Sequence, residues 1–400
     1  DGDVLEIVKT TGNFNAIGTA SVFAFDAHLK ANGLADLLVV DGNATGVTNI
    51  AVNDLAAAIP GQYVPVDQGI LFAEVKGTTS AATPNFTTNG GIDKGLFRFD
   101  AYLRNTPKNT LGYKEWVLAS TPDREAFEFP IATYAAQNLW HVSTGTWLDR
   151  TADLRSAFTD TGSGSAGNVT PGVWARVFGG ETKRRFGNSV GTPAGLTGGG
   201  FYTYDDKLDQ DMLGFMVGID FGSESKSASG KNQAWLFGLM GGYTDSNVDF
   251  AISNTRMDLR NTSVGAYVTR LDGAFFADLE VKVDFGKLKY RIDDGVFADN
   301  SKSDYTSYGA VLDVGYRVSI GASAFFEPKA TLSYVNTDFD KISLLGTDIA
   351  FRDGESLRGR LGGRFGGSLQ SGNGVIEPYI EGSAWHEFEG KYRATLTSAG

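Results

Sequence analysis

The sequence predicts an all-β protein, interrupted by one helix and ending in an antiparallel outer-membrane β-barrel. Three observations carry this: a glycine- and aromatic-rich composition, period-two alternation over about ten residues, and connections that alternate between short and long. Glycine contributes 52 of 400 residues, and Phe 27 and Tyr 15 run well ahead of Met 4. That mix favours strands and tight turns over helices. No run of about 18 apolar residues exists, which excludes a transmembrane helix. A barrel is untouched by that exclusion, because its strands cross with about 9–11 residues that are apolar only at alternate positions. The mean hydropathy of -0.15 fits such a chain.

The alternation is plainest in Phe275–Phe285. Phe275, Ala277, Leu279, Val281, Val283 and Phe285 share one face, and Phe276, Asp278, Glu280, Lys282 and Asp284 share the other. Tyr308, Ala310, Leu312, Val314, Tyr316 and Val318 alternate in the same way with Gly309, Val311, Asp313, Gly315, Arg317 and Ser319. Leu213, Phe215, Val217, Ile219 and Phe221 face away from Met212, Gly214, Met216, Gly218 and Asp220. Leu357, Leu361, Phe365 and Leu369 face away from Arg358, Arg360 and Arg364.

A soluble sandwich also has one apolar and one polar face, so alternation alone does not choose between the two. Strand length and loop sorting do. The patterns run about ten residues, past the five or six usual in soluble strands. Short turns at Leu271–Gly273, Gly321–Ser323 and Ser371–Gly374 alternate with long polar stretches at Ile292–Ser303 and Asp338–Glu355. Outer-membrane barrels sort their loops this way. A Lys or Arg facing mid-bilayer costs roughly 2–4 kcal/mol, so charges collect on the lumen face. Trp174, Tyr243, Phe285 and Tyr334 are candidates for interfacial aromatic girdles, or simply reflect strand propensity.

Before the alternating region the chain differs. From Asp1 to about Ser120 come short strand-like runs, such as Val22–Phe25, Leu37–Val40, Gly69–Phe72 and Lys114–Leu118. Pro130–Phe158 is the one convincing helix, with Pro130 placed in its first turn and Ala132, Ala135, Ala136, Gln137 and Leu139 as good helix formers. Asp160–Ser165 reads as a flexible break. Cysteine is absent, as in many cytosolic domains, and also as suits a chain crossing an oxidising compartment unfolded. The opening Asp1-Gly2-Asp3 contains no signal peptide, so the chain reads as an excised or processed piece. A net charge of -12 argues against nucleic acid.

These patterns match a family in order and spacing across nearly the whole chain. Gly172–Gly180 resembles the first barrel strand of type Va autotransporters. Phe326–Tyr334 resembles their seventh strand, Leu357–Arg364 the eighth and Ile376–Glu381 the ninth. Ala35–Gly46 and Tyr113–Leu118 are similar to the autochaperone segment that ends pertactin-like passengers. The resemblance implies three parts: 1–122 as the end of a passenger β-helix with its autochaperone, 123–168 as a linker helix and flexible segment threading the barrel, and 169–400 as the barrel. Leu38, Val40, Gly42, Gly46 and Trp116 would be autochaperone residues. The family barrel has twelve strands ending in an aromatic residue; about nine patterns are found before Gly400, so a truncated C-terminus is expected. Some relatives self-cleave between two adjacent Asn in the helix, but Asn138 is followed by Leu139, so no cleavage site carries over.

The implied function is an outer-membrane translocator that anchors its own passenger and permits its export to the cell surface by type V secretion. Its partners would be that passenger, outer-membrane lipid and lipopolysaccharide, and the barrel-assembly machinery. A surface adhesin for which this piece is only the anchor, and a porin-like channel, are the alternatives; a general porin needs neither autochaperone nor lumen helix. Asp278, Glu280, Lys282, Arg358, Arg360, Arg364, Glu377 and Glu381 are expected to face the lumen. Either they hold a linker helix that offers Asn138, Asp149, Arg150, Asp153 and Arg155, or they only hydrate a pore. Under the first reading Arg360→Glu loosens the helix and raises conductance.

Chemistry is expected to be absent. The three histidines, His28, His141 and His386, sit in two strand patterns and the helix without a nucleophile context. Three His and no Cys speak against zinc. Asp293, Asp294, Asp299 and Asp304 lack the ligand spacing of a calcium loop. Gly198–Gly200 lacks the strand–helix setting of a phosphate loop. No enzyme activity, cofactor or metal is therefore expected.

Overall fold

A computed structural model describes residues 5–17, 21–78, 86–104, 106–160, 168–192, 194–226, 232–321, 324–352, 354–367, 369–371 and 374–398. The first third winds as parallel coils. Strands β1 (Ile7–Thr10), β2 (Val22–Ala27), β3 (Leu37–Val40), β4 (Thr48–Asp54) and β5 (Ile70–Val75) pair in parallel, β1 with β3, β3 with β5 and β2 with β4. Ile7 stacks on Leu37 and Phe14 on Ala44, so one coil takes about thirty residues. Parallel stacking sets like positions above one another, and the interior fills with rings: Phe25 lies 5.1 Å from Phe72, and Phe72 lies 5.5 Å from Phe86. At one corner the coils touch too closely for side chains. A Cβ on Gly42 would lie 2.5 Å from the Gly12 carbonyl, and Gly46 has φ +77. Asn13 and Asn43 extend this corner as a ladder, each side-chain oxygen accepting a backbone N–H from the next coil at 2.8 Å.

The antiparallel strands β6 (Phe97–Arg104) and β7 (Lys114–Pro122) end the coils, with β7 beside β5. Leu38, Val40 and Trp116 are buried in this core. Tyr113, just before β7, donates its hydroxyl to Asp41 at 2.6 Å, and Lys9 sits 3.2 Å from the same carboxylate. The Tyr113 bond first and Lys9 second hold Asp41 below its ordinary value of 3.8. A depressed carboxyl contributes stability that is present above its unfolded value and lost as pH falls through the folded one. Thermal stability of the coils is therefore expected to fall on acidification below about pH 4. Tyr113→Phe should flatten that part of the profile, as measured by scanning fluorescence.

Helix α1 spans Arg124–Asp160 and starts six residues before the expected Pro130. Asp123 precedes it: its carbonyl accepts the Ala126 N–H at 3.1 Å and its side chain the Arg124 N–H at 2.8 Å. Pro130 instead falls in the second turn, where it lacks the N–H that would reach the Ala126 carbonyl. Packing compensates, because Phe129 stacks on Tyr290 at 4.8 Å and Ala126 and Ile131 are buried. The break expected at Asp160–Ser165 lies, after Asp160, outside the described residues.

The remaining chain forms one curled antiparallel sheet. Its strands are β8 (Asn168–Val190), β10 (Tyr202–Lys226), β11 (Asn232–Phe250), β12 (Arg256–Asp272), β13 (Phe275–Asp293), β14 (Ala298–Tyr316), β15 (Ala324–Phe339), β18 (Glu355–Gly367) and β19 (Tyr379–Glu389). The intervening numbers belong to β9 (Thr197–Gly198), β16 (Ile342–Leu344) and β17 (Thr347–Arg352). Along the main path every neighbour is next in sequence apart from short insertions, an up-and-down order of nine strands among the described residues, with Val318–Ile320 pairing beside β15 as a tenth member, against about nine patterns in the sequence. Among the described residues, β8 and β19 are its two open edges. The hairpin of β16 and β17, joined by β20 (Arg393–Ser398), forms a small sheet of its own.

The strands are longer than the sequence patterns, and the reason lies in β13. From Phe275 to Phe285 its outward face is apolar and its inward Asp278, Glu280, Lys282 and Asp284 are buried. After Gly286 the faces exchange character. Leu288, Tyr290 and Ile292 are now buried inside, while Lys287, Lys289, Arg291 and Asp293 face outward. Strand β12 does the same, with Met257 and Leu259 inside and Arg256, Asp258 and Arg260 outside. Cross-strand ion pairs ring this outer surface: Arg256–Asp249 at 2.9 Å, Arg260–Asp245 at 3.0 Å and Arg291–Asp258 at 3.0 Å. Such exposed pairs contribute at most about 1 kcal/mol each. They mark where the outer face meets water.

Four expectations need correction. The polar stretch Ile292–Ser303 is not a long loop: β13 and β14 run through it and turn at Asp294–Phe297. Polarity signalled a loop there, whereas it belongs to strands that have passed the apolar belt. Asp338–Glu355 likewise contains the β16–β17 hairpin. Trp174 is no girdle residue, since it lies on the inward face, buried, and donates to the Tyr267 hydroxyl at 3.0 Å. Parity places it opposite the exposed Val173 and Val177. His28 falls just past β2 rather than in a strand. Parts of the turns at 321–323 and 371–374 lie outside the described residues.

Candidate functional site

The concave face of the sheet holds α1, and the two halves of the helix meet different surroundings. Phe129, Ile131, Ala132, Ala135, Ala136 and Leu139 enter an apolar cluster with Leu208, Met212, Val248, Phe250, Met257, Leu259, Leu288 and Tyr290. Leu344, Leu345 and Ile349 of the β16–β17 hairpin join the same cluster. The inward face beyond the belt thus closes around the start of the helix as a soluble core would. At about 25 cal/mol per Å² of buried apolar area, a cluster of this size holds the first turns of α1 firmly.

Deeper in, the contacts become polar. Asn138 donates to Thr182 and to Gln210, both at 3.0 Å, and Gln210 donates to the Ala135 carbonyl at 3.1 Å. Gln137 donates to the Gly354 carbonyl at 2.7 Å. His141 lies between Ser333 and Ser356, with both ring nitrogens at 3.3 Å from a hydroxyl. Lys282 donates to the Trp140 carbonyl at 3.1 Å and to Ser143, sits 4.7 Å above the Trp140 ring, and lies 3.6 Å from Asp284. Arg150 pairs with Asp220 and lies 4.9 Å over Trp174, while Tyr267 donates to the same Asp220. At the top of the helix Arg124 pairs with Asp206 at 2.8 Å. Helix and sheet are joined by charge-assisted bonds at three levels.

Of the residues expected in the lumen, Asp278, Glu280 and Lys282 line the concave face, and Lys282 touches the helix. The arginines share the inward parity of Ser356, which reaches His141 of the helix, while Leu361 and Phe365 face outward, but their own bonds run to neighbouring strands. Arg358 bonds Glu387 at 2.5 Å, Arg360 bonds Ser383 at 2.7 Å and Glu381 at 2.8 Å, and Arg364 lies 3.8 Å from the Tyr379 ring and 3.9 Å from Glu327. Glu377 precedes β19 and pairs with Arg317 at 2.5 Å. On the helix, Asn138 and Arg150 are buried in contacts with the sheet; Asp149 is exposed, with the charges of Glu381, Lys329, Arg176 and Arg360 acting on it. The side chains of Asp153 and Arg155 lie outside the described ones. Sequence reasoning missed Asp206, Gln210, Asp220 and Tyr267 as helix partners. Their even or odd parity put them on the inward face, but parity does not say what crosses the lumen opposite them.

These contacts shift the expected effect on helix retention from Arg360 to Arg150. Arg150→Gln removes the charge that pairs with the buried Asp220, so the helix should loosen and conductance in planar bilayers should rise. Arg360→Glu disturbs a pair between neighbouring strands and should change conductance less.

Glu181, Asp209 and Asp211 come close enough to share an ion, but Lys183 sits 2.5 Å from Glu181 and 3.4 Å from Asp209 and already supplies the counter-charge. The aspartates considered for calcium serve the backbone instead. Asp294 accepts from Val296 and Phe297 at 2.8 and 2.6 Å, Asp293 accepts from Gly295 at 3.0 Å, and Asp299 accepts from Leu345 at 2.8 Å.

A family profile described as the autotransporter beta-domain matches residues 173–400. None of the curated proteins matches the chain. Among solved structures, the chain is similar to the beta domain of the Bordetella autotransporter BrkA, at 19% identity and a TM-score of 0.39, covering 57% of this chain and 84% of that one. It is also similar to the transport unit of the autotransporter AIDA-I from Escherichia coli, at 17% identity and a TM-score of 0.41, covering 60% of this chain and 74% of that one.

Proposed function

Because the chain belongs to the autotransporter beta-domain family, matched over more than half its length, we propose that it anchors its own N-terminal region in the outer membrane and permits that region's export to the cell surface. The family is one of translocator barrels of the outer membrane, not of enzymes. Residues 169–400 then form the barrel, 123–168 the linker, and 1–122 the end of the exported passenger, with the barrel-assembly machinery, lipid and lipopolysaccharide as partners. One observation carries this division of labour. The antiparallel strand β7 that ends the coils leads through Asp123 into α1, and α1 traverses the concave face toward the start of β8, so the coils are tethered through the sheet by covalent chain. A solute channel has no use for a helix filling its lumen.

External protease added to cells producing the protein, followed by gels of the outer-membrane fraction with and without heating, tests the proposal. Loss of the region before Pro130 together with a heat-modifiable membrane fragment is the expected result. Protection of that region beside a heat-modifiable barrel would refute export and favour a channel. Absence of heat-modifiability would refute the membrane assignment.

A further inference from the structure

The connection between β8 and β10 does more than turn the chain. Its residues Thr197–Gly198 form β9, which pairs antiparallel with Tyr102 and Leu103 on β6 and so joins the sheet of the parallel coils. Strand β6 is the outermost long strand of that sheet. The short strand Ile92–Lys94 covers Phe97–Phe99 on its edge, and β9 covers the stretch that follows. An uncovered strand edge offers unpaired backbone groups to any passing chain.

The contact is built on both sides. Gly199 donates its N–H to the Ala101 carbonyl at 2.8 Å. Asp100, 3% exposed, accepts from the Tyr202 hydroxyl at 2.6 Å and from the Gly200 N–H at 3.3 Å. Arg98 lies 4.3 Å over the Tyr202 ring, and Tyr204 donates to Asp123 at 2.9 Å. Thr192 braces the loop itself through the Gly198 carbonyl at 2.6 Å. The glycines allow the approach. Gly198 and Gly199 have φ +97 and +71; a Cβ on Gly198 would lie 2.4 Å from the Ala101 carbonyl and 3.2 Å from the Trp116 ring, and one on Gly199 would lie 2.3 Å from the Tyr102 ring. The close approach accounts for the run Gly198–Gly200.

We propose that the segment Thr197–Tyr204 is a folding template: the barrel presents a ready strand and a polar clamp to β6 as it emerges, and the coils fold outward from that edge. The proposal rests on the export reading above. Strand addition to an exposed edge supplies main-chain bonds at once, and Asp100, Arg98 and Trp116 supply the register. A segment that acts in the folding nucleus changes the rate of folding, whereas a contact formed late changes only the final stability.

The test is a pulse-chase in cells producing the whole protein, following three signals. Arrival of the N-terminal region at the surface and heat-modifiability of the barrel report export and barrel folding; protease resistance of the exposed region reports its folding. The double variant Gly198→Val, Gly199→Val is expected to reach the surface on a normal barrel, but to gain resistance about tenfold more slowly. Tyr202→Phe, which deletes one bond to Asp100, should show a smaller slowing in the same direction and stands in if the double variant spoils the barrel. Gly187→Ala, whose Cβ meets open space, is the control. Resistance gained at the wild-type rate in the glycine and Tyr202 variants, or a lower final resistance at an unchanged rate, would overturn the template. Failure of the wild-type region to reach the surface would overturn the export reading and the template with it.

Discussion

Trp116→Ala should cost the N-terminal coils their protease resistance while leaving the barrel heat-modifiable. Trp116 is fully buried, and its ring meets Phe86 edge-on at 5.5 Å. Phe86 in turn packs on Phe72 and, at 5.9 Å, on Phe14, so the indole supports a column of rings that crosses several coils. Truncating a buried Trp to Ala typically costs about 3–5 kcal/mol, a large share of the stability of a domain this size. The damage should stay local, because Trp116 belongs to the core of the coils and shares no cluster with the residues that hold α1. Limited proteolysis on intact cells, read beside the heat-shift gel, measures both halves of this expectation. A resistant Trp116→Ala region would mean that the column is not what holds the coils together.

The second large effect is expected at Lys282→Met. Methionine keeps most of the volume but removes a buried cation that donates to Trp140 and Ser143 of the helix. Glu280 and Asp284, both at 0% exposure on the same strand, would keep their burial and lose this neighbour. Removing one member of a buried charged set typically costs about 3–5 kcal/mol. The gel transition of the barrel should therefore fall to lower temperature, and the helix should become open to protease from the lumen. Adding Glu280→Gln should recover part of the loss, since it removes a charge that the lysine had balanced. An unchanged transition temperature would show that water already screens these carboxylates.

Much of the sheet was legible because one of its faces must be apolar along the belt. Period-two alternation in Phe275–Phe285 identified both the strand and the side on which Asp278, Glu280 and Lys282 lie. The ends of the strands were illegible, since past Gly286 the same alternation continues with its faces exchanged, and a polar outward face resembles a loop. The start of α1 was hidden by Pro130, whose usual place at a helix N-terminus was overridden by the packing of Phe129 on Tyr290. Trp174 was assigned by residue type when its parity with Val173 and Val177 already pointed inward. The partners of the helix were not legible, because pairs such as Arg150 with Asp220 and Asn138 with Gln210 span about seventy residues of sequence. Strand β9 was missed for a related reason: two residues carry no period, and their partner lies nearly a hundred residues upstream.

The exchange of faces along β13 also sets how deep the molecule sits. Phe275 and Phe285 bound its outward apolar run. At about 3.3 Å per residue and a tilt of about 40°, that run rises roughly 25 Å, the height of the apolar band in outer-membrane barrels. One strand therefore carries its own waterline. Below it the protein is dissolved in lipid by its outer surface, and above it the protein is held together by its inner one. Sliding the barrel up or down by a single pair of residues would lift Phe285 into water or push Lys287 into hydrocarbon, so vertical position is fixed by the same alternation that fixes the fold.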